Sequence, residues 1–143
     1  MLPAVTIYSD GACDPNPGPG GWAALIEGGG SARTVYGGER QTTNNRMELT
    51  AVIEALRALP APSAVRVSTD SEYLQRGITE WLASWQKKNW RTQARKPVAN
   101  RDLWEQLLEA EKRHTVQWLW VRGHNGDPRN ERVDQLARAA IPN

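Results

Sequence analysis

Residues 5–10 alternate apolar and polar side chains of strand-forming type, and the alternation breaks into residues 11–21, a run rich in Gly and Pro. The pattern predicts a strand and then a loop. Residues 22–27 and 32–36 read as two further strands, joined as a hairpin through Gly28, Gly29 and Gly30. From Thr43 the spacing turns helical, with Met47, Ala51, Ile53, Ala55, Leu56 and Leu59 forming a broad apolar face that Pro60 ends. Thr42, Thr43 or Asn44 can cap this helix. A short strand over residues 65–69 stops at Asp70, and another helix begins over residues 71–77. Residues 81–90 predict a further short helix leading into a basic loop. Asn100 or Asp102 can cap the next helix, which runs through Leu103, Leu107 and Leu108 to a strand at residues 115–121. The last loop, residues 122–126, opens a helix with Asp127 at the cap, Pro128 in the first turn, and Val133, Leu136, Ala137 and Ala140 facing inward.

The predicted order, βββαβαααβα, implies an α/β fold with a five-stranded mixed sheet flanked by helices. In open sheets of this class, ligands collect beyond the carboxyl ends of the strands. Asp10 and Asp70 stand at two such ends, and they converge if the first and fourth strands are parallel neighbours. Glu48 lies a little over one turn into its helix and Asp134 early in the last one, so both can lean over the same edge. Length fits one domain, residues 1–143, able to bury a substantial core.

These four acids, spread along the chain among Gly, Thr, Asn and Ser, suggest a metal site. Hard divalent cations prefer oxygen ligands, and Mg²⁺ takes a few carboxylates while keeping positions for water and substrate phosphate. Zinc fits less well, because Cys13 is the only cysteine and His114 and His124 the only histidines. Mg²⁺ or Mn²⁺ is the expected ion. A lone cysteine, no signal-peptide pattern at the start and no apolar run long enough to span a membrane point to a reducing cytoplasm.

Net charge is only +2, but residues 86–101 hold six cations, Lys87, Lys88, Arg91, Arg95, Lys96 and Arg101, and no acid. The rest of the chain therefore carries 12 cations against 16 acids. Trp81, Trp85 and Trp90 adjoin or punctuate the basic segment, offering flat apolar faces beside phosphate-attracting charge. A solvated charged loop is the competing reading of such a run.

The motifs Tyr8-Ser9-Asp10-Gly11, Asn16-Pro17-Gly18-Pro19-Gly20-Gly21, Thr43-Asn44-Asn45-Arg46-Met47-Glu48-Leu49 and Thr69-Asp70-Ser71 follow one another in order. Val121-Arg122-Gly123-His124 and Asn130-Glu131-Arg132-Val133-Asp134 complete the series. Each alone is common; together they closely resemble bacterial type 1 ribonuclease H over essentially the whole chain. The resemblance implies the ribonuclease H-like fold and hydrolysis of the RNA strand of an RNA–DNA hybrid to 5′-phosphate and 3′-hydroxyl products. It implies metal-ligand roles for Asp10, Glu48, Asp70 and Asp134, with two Mg²⁺ ions in the substrate complex and Mn²⁺ a possible substitute. Two such ions roughly 4 Å apart can activate a water on one side of the phosphorus and stabilise the leaving oxygen on the other. His124 is implied as an auxiliary proton carrier or product-release residue, suited by an ordinary pKa near 6.5. His114 has no comparable context and reads as an ordinary surface or strand-edge residue.

By the same resemblance, residues 13–16 (including Asn16), Asn44, Asn45 and Glu72 line the RNA strand, where 2′-hydroxyls are both donors and acceptors. Thr43 and Asn100 bind a DNA phosphate, Tyr73 and Trp81 pack on DNA sugars, and the segment with Trp85, Lys87, Lys88, Trp90 and Arg91 resembles the family's basic protrusion. Trp85, Trp90, Trp104, Trp118 and Trp120 are equally explained as core. Two positions depart from common family patterns. Gln41 stands where relatives often carry an Arg, with Arg40 expected on the opposite face of an extended segment. Glu72 replaces a Gln, exchanging an amide that donates for a carboxylate that only accepts. The family implies a monomer with no membrane partner. Another nuclease or polynucleotidyl transferase of the same fold, and a non-catalytic hybrid-binding module, are the alternatives; four intact carboxylates disfavour the second, because acids repel phosphate unless a metal neutralises them.

Overall fold

A computed structural model describes residues 2–122 and 127–143. Its strands are β1 (Ala4–Cys13), β2 (Gly18–Gly28), β3 (Ser31–Thr42), β4 (Ala64–Thr69) and β5 (Thr115–Trp120). The helices are α1 (Asn44–Arg57), α2 (Glu72–Arg76), α3 (Leu82–Lys87), α4 (Arg101–Glu111) and α5 (Pro128–Ala139), with a π-helical turn, Gly77–Trp81, joining α2 to α3. The five strands form one sheet in the order β3-β2-β1-β4-β5. The β1–β2 and β2–β3 pairs are antiparallel, and β1–β4 and β4–β5 are parallel. The element order is the one predicted, and the parallel contact of β1 with β4 is the condition on which Asp10 and Asp70 were expected to meet.

The sheet has two unequal cores. On one face Ile7, Ala24, Val65 and Val67 pack with Leu49, Val52 and Leu56 of α1 and Trp104 and Leu107 of α4. On the other, Ala23 and Leu25 meet Val133 and Ala137 of α5, with Leu136 at the margin. Trp104 is fully buried, whereas Trp85, Trp90, Trp118 and Trp120 are half-buried and rest against the larger core. The core expectation thus describes one tryptophan fully and four at their edges.

The predicted 11–21 loop is the main departure in secondary structure. Pairing of β1 with β2 continues through Gly11↔Trp22, Ala12↔Gly21 and Cys13↔Gly20, so the connection shrinks to four residues. The glycines there carry a turn signal in the sequence, but Gly21 serves close approach. A Cβ on Gly21 would collide with the Ala137 carbonyl oxygen, and one on Gly38 of β3 with that of Ala140, so the end of α5 rests directly on sheet backbone. By contrast Gly29 and Gly30 do form the expected hairpin, both at positive φ.

Register also shifts between Gly18 and Gly20 of β2 and Thr42 and Glu39 of β3, which leaves Arg40 and Gln41 together opposite Pro19. Pro19 has no N–H to give the ladder, and a bulge is where a strand tolerates that. Alternation breaks at a bulge, so the expectation that Arg40 and Gln41 face opposite ways loses its basis; both are exposed. His114 stands at the edge of β5, one of the two places expected of it, and is half-buried there. Its Nδ1 accepts from the Ser63 N–H at 3.0 Å, and burial pushes its pKa below the ordinary histidine value, so the neutral ring ties the start of β4 to the approach to β5.

Candidate active site

Parallel pairing of β1 with β4 ends at Tyr8↔Ser68, and the two strands part there with Asp10 and Asp70 on their continuations. Thr69 and Ser71 fix the turn around Asp70: the Ser71 N–H donates to Thr69 Oγ1 at 3.2 Å, and the Leu74 N–H donates to Ser71 Oγ at 3.1 Å, capping α2. Glu48 arrives from α1, whose start is capped by Thr43, one of three caps the sequence offered; Thr43 Oγ1 accepts from the Arg46 N–H. The backbone of Gly11 lies so close to α1 that a Cβ would overlap Met47 and Glu48. This contact lets the Gly11 N–H donate to Glu48 Oε1 and Asp10 Oδ1, both at 2.9 Å.

Ligand-capable atoms of Asp10, Glu48 and Asp70 all lie within 4.8 Å of one another. Asp10 is 6% exposed and Glu48 4%. Burial pushes the Asp10 pKa up to about 6, with the Asp70 charge adding to the rise and bonds from Glu48 and Gly11 opposing it. Burial, and then the Asp10 charge, push Glu48 well above the ordinary carboxylate range. Glu48 Oε2 is buried with no hydrogen-bond partner among the described residues. A buried acceptor left unpaired beside two other carboxylates is costly unless a cation satisfies it. The donor set is all oxygen, which fits a hard divalent ion.

Asp134 lies outside this tight group of three but lines the same cavity of about 370 Å³, with Asn44, Asn45, Ser71, Glu72 and Tyr73. Its Oδ1 accepts from Arg138 Nε at 3.1 Å, one turn along α5. A different hollow, apolar and about 550 Å³, lies at the amino end of β1 against Pro3, Ile26, Leu59 and Pro60. It contains none of the carboxylates, and the chemistry belongs to the smaller polar cavity.

Other expected site residues surround that cavity in two groups. Asn16 Oδ1 accepts from the Asn44 N–H at 3.1 Å, tying the β1–β2 connection to the start of α1. Asn100, with φ of 63°, precedes α4 but gives its side chain no capping role. Its Nδ2 instead donates to the Tyr73 hydroxyl at 3.0 Å, which also accepts from Trp104 Nε1. From Tyr73 an aromatic chain runs outward through Trp81, Trp85 and Trp90, with successive centroids 5.9, 5.5 and 6.4 Å apart. Arg76 stacks over Trp81 and Arg101 over Trp90. Lys87 and Lys88 are exposed at the end of α3. His124 lies outside the described residues.

The sequence offers Asp102 as a possible helix cap but does not pair it with Arg46; the two form a two-pronged ion pair with N–O distances of 3.0 and 2.8 Å. They lie 56 positions apart, so no local spacing announces the pair. Arg46 does fall within the motif at residues 43–49, between Asn45 and the ligand-bearing stretch.

The RNase H family model matches residues 3–142. The chain belongs to the RNase H family. It is 58% identical over 137 residues to the ribonuclease H of Cupriavidus metallidurans, covering 96% of this chain and 94% of the relative. It is 55% identical over 139 residues to that of Methylococcus capsulatus, covering 97% and 90%. Among solved structures, LC9-RNase H1, described as a type 1 RNase H with the type 2 active-site motif, superposes with a TM-score of 0.87 at 35% identity, covering 99% of this chain and 73% of that one. LC11-RNase H1, solved in complex with an RNA/DNA hybrid, shares the fold at 22% identity with a TM-score of 0.73, over 96% of each chain. In this member of the family Asp10, Glu48 and Asp70 cluster where β1 and β4 diverge, and α5 brings Asp134 to the same cavity.

Proposed function

We propose that this RNase H hydrolyses the RNA strand of RNA–DNA hybrids, leaving 5′-phosphate and 3′-hydroxyl ends, with residues 1–143 acting as a single catalytic domain. The observation that carries the reading is the buried cluster of Asp10, Glu48 and Asp70, with Glu48 Oε2 unpaired, in a chain of this family. Asp10, Glu48, Asp70 and Asp134 would hold Mg²⁺, or Mn²⁺ in its place. When bound, such ions supply charge stabilisation at the phosphate and activate water as the nucleophile. The chain supplies the positioning: the Gly11 N–H holds Asp10 and Glu48 in fixed orientation, and Arg138 holds Asp134. Fixed dipoles and charges cost no reorganisation during the reaction.

Asn16, Asn44, Asn45 and Glu72 face the RNA strand in this reading, Thr43 and Asn100 a DNA phosphate, Tyr73 and Trp81 the DNA sugars, and Lys87 and Lys88 the DNA backbone. His124 assists proton traffic or product release, so His124→Ala lowers the rate less than Asp70→Asn. No helix among the described residues is long and apolar enough to cross a membrane, and the proposed setting is a cytoplasmic monomer. The test is cleavage of end-labelled RNA presented as hybrid, single strand, double-stranded RNA and a lone ribonucleotide in duplex DNA, with Mg²⁺ or EDTA. Metal-dependent cutting of the hybrid alone, lost in Asp70→Asn, is the expected result. Hybrid binding without cutting would turn the reading into a binding module.

A further inference from the structure

Arg46 occupies the first turn of α1, a turn with no acidic residue, so its charge adds to the positive end of the helix dipole. Its Nη1 donates to Asn100 Oδ1 at 3.2 Å and to Asp102 Oδ1, and its Nη2 to Asp102 Oδ2. Three of its five N–H groups are thus engaged, and the other two have no partner among the described residues. Arg46 adjoins both residues of the proposed phosphate position, bonding Thr43 through its backbone and Asn100 through its guanidinium. Gln41 brings no charge to that position. Arg46 is a cation bonded to both Thr43 and Asn100, and a carboxylate already holds it.

The contact is a two-pronged fork, the arrangement in which a guanidinium also grips a phosphate. Asp102 in effect takes the place an oxyanion would take. Its side chain is 56% exposed and that of Arg46 32%, so neither group is sealed from solvent or substrate. Removing the carboxylate need not disturb a packed core, because the apolar face of α4 lies elsewhere, on Leu103, Trp104 and Leu107.

We propose that Asp102 sets the affinity for the hybrid by masking Arg46, an otherwise available phosphate-binding cation beside Thr43 and Asn100. The inference rests on the hybrid reading above and adds a residue that weakens substrate binding. Freed from Asp102, Arg46 engages the DNA-strand phosphate, with Glu39 a weaker acidic neighbour that remains. The pair also restrains Asn100, so salt dependence is the discriminating readout: a purely structural role would change affinity without changing the number of phosphates neutralised.

The experiment measures hybrid affinity by fluorescence anisotropy in EDTA over a series of salt concentrations, with KM and kcat in Mg²⁺ alongside. Asp102→Asn should bind about two- to fivefold more tightly at low salt, with the slope of log Kd against log salt steeper by nearly one. KM should fall with kcat little changed, and Asp102→Ser, which keeps an oxygen at the helix start, should behave alike. Arg46→Gln should weaken binding and flatten the slope, and adding Asp102→Asn to it should produce no gain. An unchanged slope in folded Asp102→Asn and Asp102→Ser, or a gain that survives in the double variant, would overturn the inference. Failure of the unsubstituted, folded protein to bind hybrid at all would instead overturn the proposed function and the inference with it.

Discussion

Asp10 and Glu48 are almost wholly buried on the sheet and its first helix, while Lys87 and Lys88 stand exposed at the end of α3, beyond a chain of half-buried aromatic rings. One region concentrates like charge where water cannot relieve it; the other spreads charge where water relieves it fully. The carboxylate cluster destabilises the fold that carries it, and the large core formed with α1 and α4 offsets that cost. The basic segment holds Asn89, Trp90, Arg95 and Asn100 at positive φ, so its strain sits in the backbone while its lysine side chains remain exposed. Under the proposed function, rigid elements serve the reaction, which tolerates small geometric error poorly, and flexible side chains serve attachment, for which long-range attraction suffices.

The largest expected effect lies in the first region. Asp70→Asn should reduce kcat by about 10²–10³-fold or more with little change in KM, as loss of a group acting on developing charge does; a loss appearing mainly in KM would erase the division between the regions. Next, Mg²⁺ should raise the melting temperature, by the equivalent of about 2.7 kcal/mol when present at roughly 100 times its Kd. Asp10→Asn should weaken that response, and a melting temperature indifferent to Mg²⁺ would contradict it. In the second region, joint Lys87→Ala and Lys88→Ala substitution should raise KM, leave kcat alone and flatten the salt dependence of binding by roughly one to two charges.

The smallest effect sharpens the comparison by moving away from both regions. Glu111, at the end of α4, has a buried oxygen without a partner among the described residues, and burial pushes its pKa up to about 7. Its folded pKa thus exceeds the unfolded one, so its favourable contribution is complete below about 4.5 and is lost as pH rises through about 7. Glu111→Gln should remove this loss, stabilising the protein at pH 8 by on the order of 1 kcal/mol and hardly at all near pH 4. Chemical denaturation at the two pH values, with Mg²⁺ held constant, measures the difference. An equal shift at both would mean that the carboxyl titrates normally.

Periodicity made the element order legible because β1, α1 and α4 each expose one polar and one apolar side. The acids of the site were legible through their positions at element ends and the motifs around them. What escaped had no signature along the chain. Gly20 and Gly21 look like turn residues whether they bend the chain or admit a neighbour; in the fold Gly20 admits Thr42, Ala12 and Met47, and Gly21 the end of α5. Arg46 and Asp102 meet across 56 positions. Asn100 was a plausible cap by residue type, yet Arg46 and Tyr73 recruit its side chain. The π-helical turn at Gly77–Trp81 likewise has no signature along the chain; there Gly77 lies so close to Trp104 that a Cβ would overlap its ring.

The bare backbone at Gly21 and Gly38 gives the fold a depth gauge. Helix α5 carries Asp134 at one point and touches these two glycines at its other end, so two absent methyl groups determine how far the fourth carboxylate stands from the other three. A methyl at either position would lift the helix like a shim under a hinge and shift Asp134 relative to the other three acids without altering any of the four. Surveys of catalytic variation confined to residues that line the cavity would pass over both, although the reaction geometry is adjustable from there.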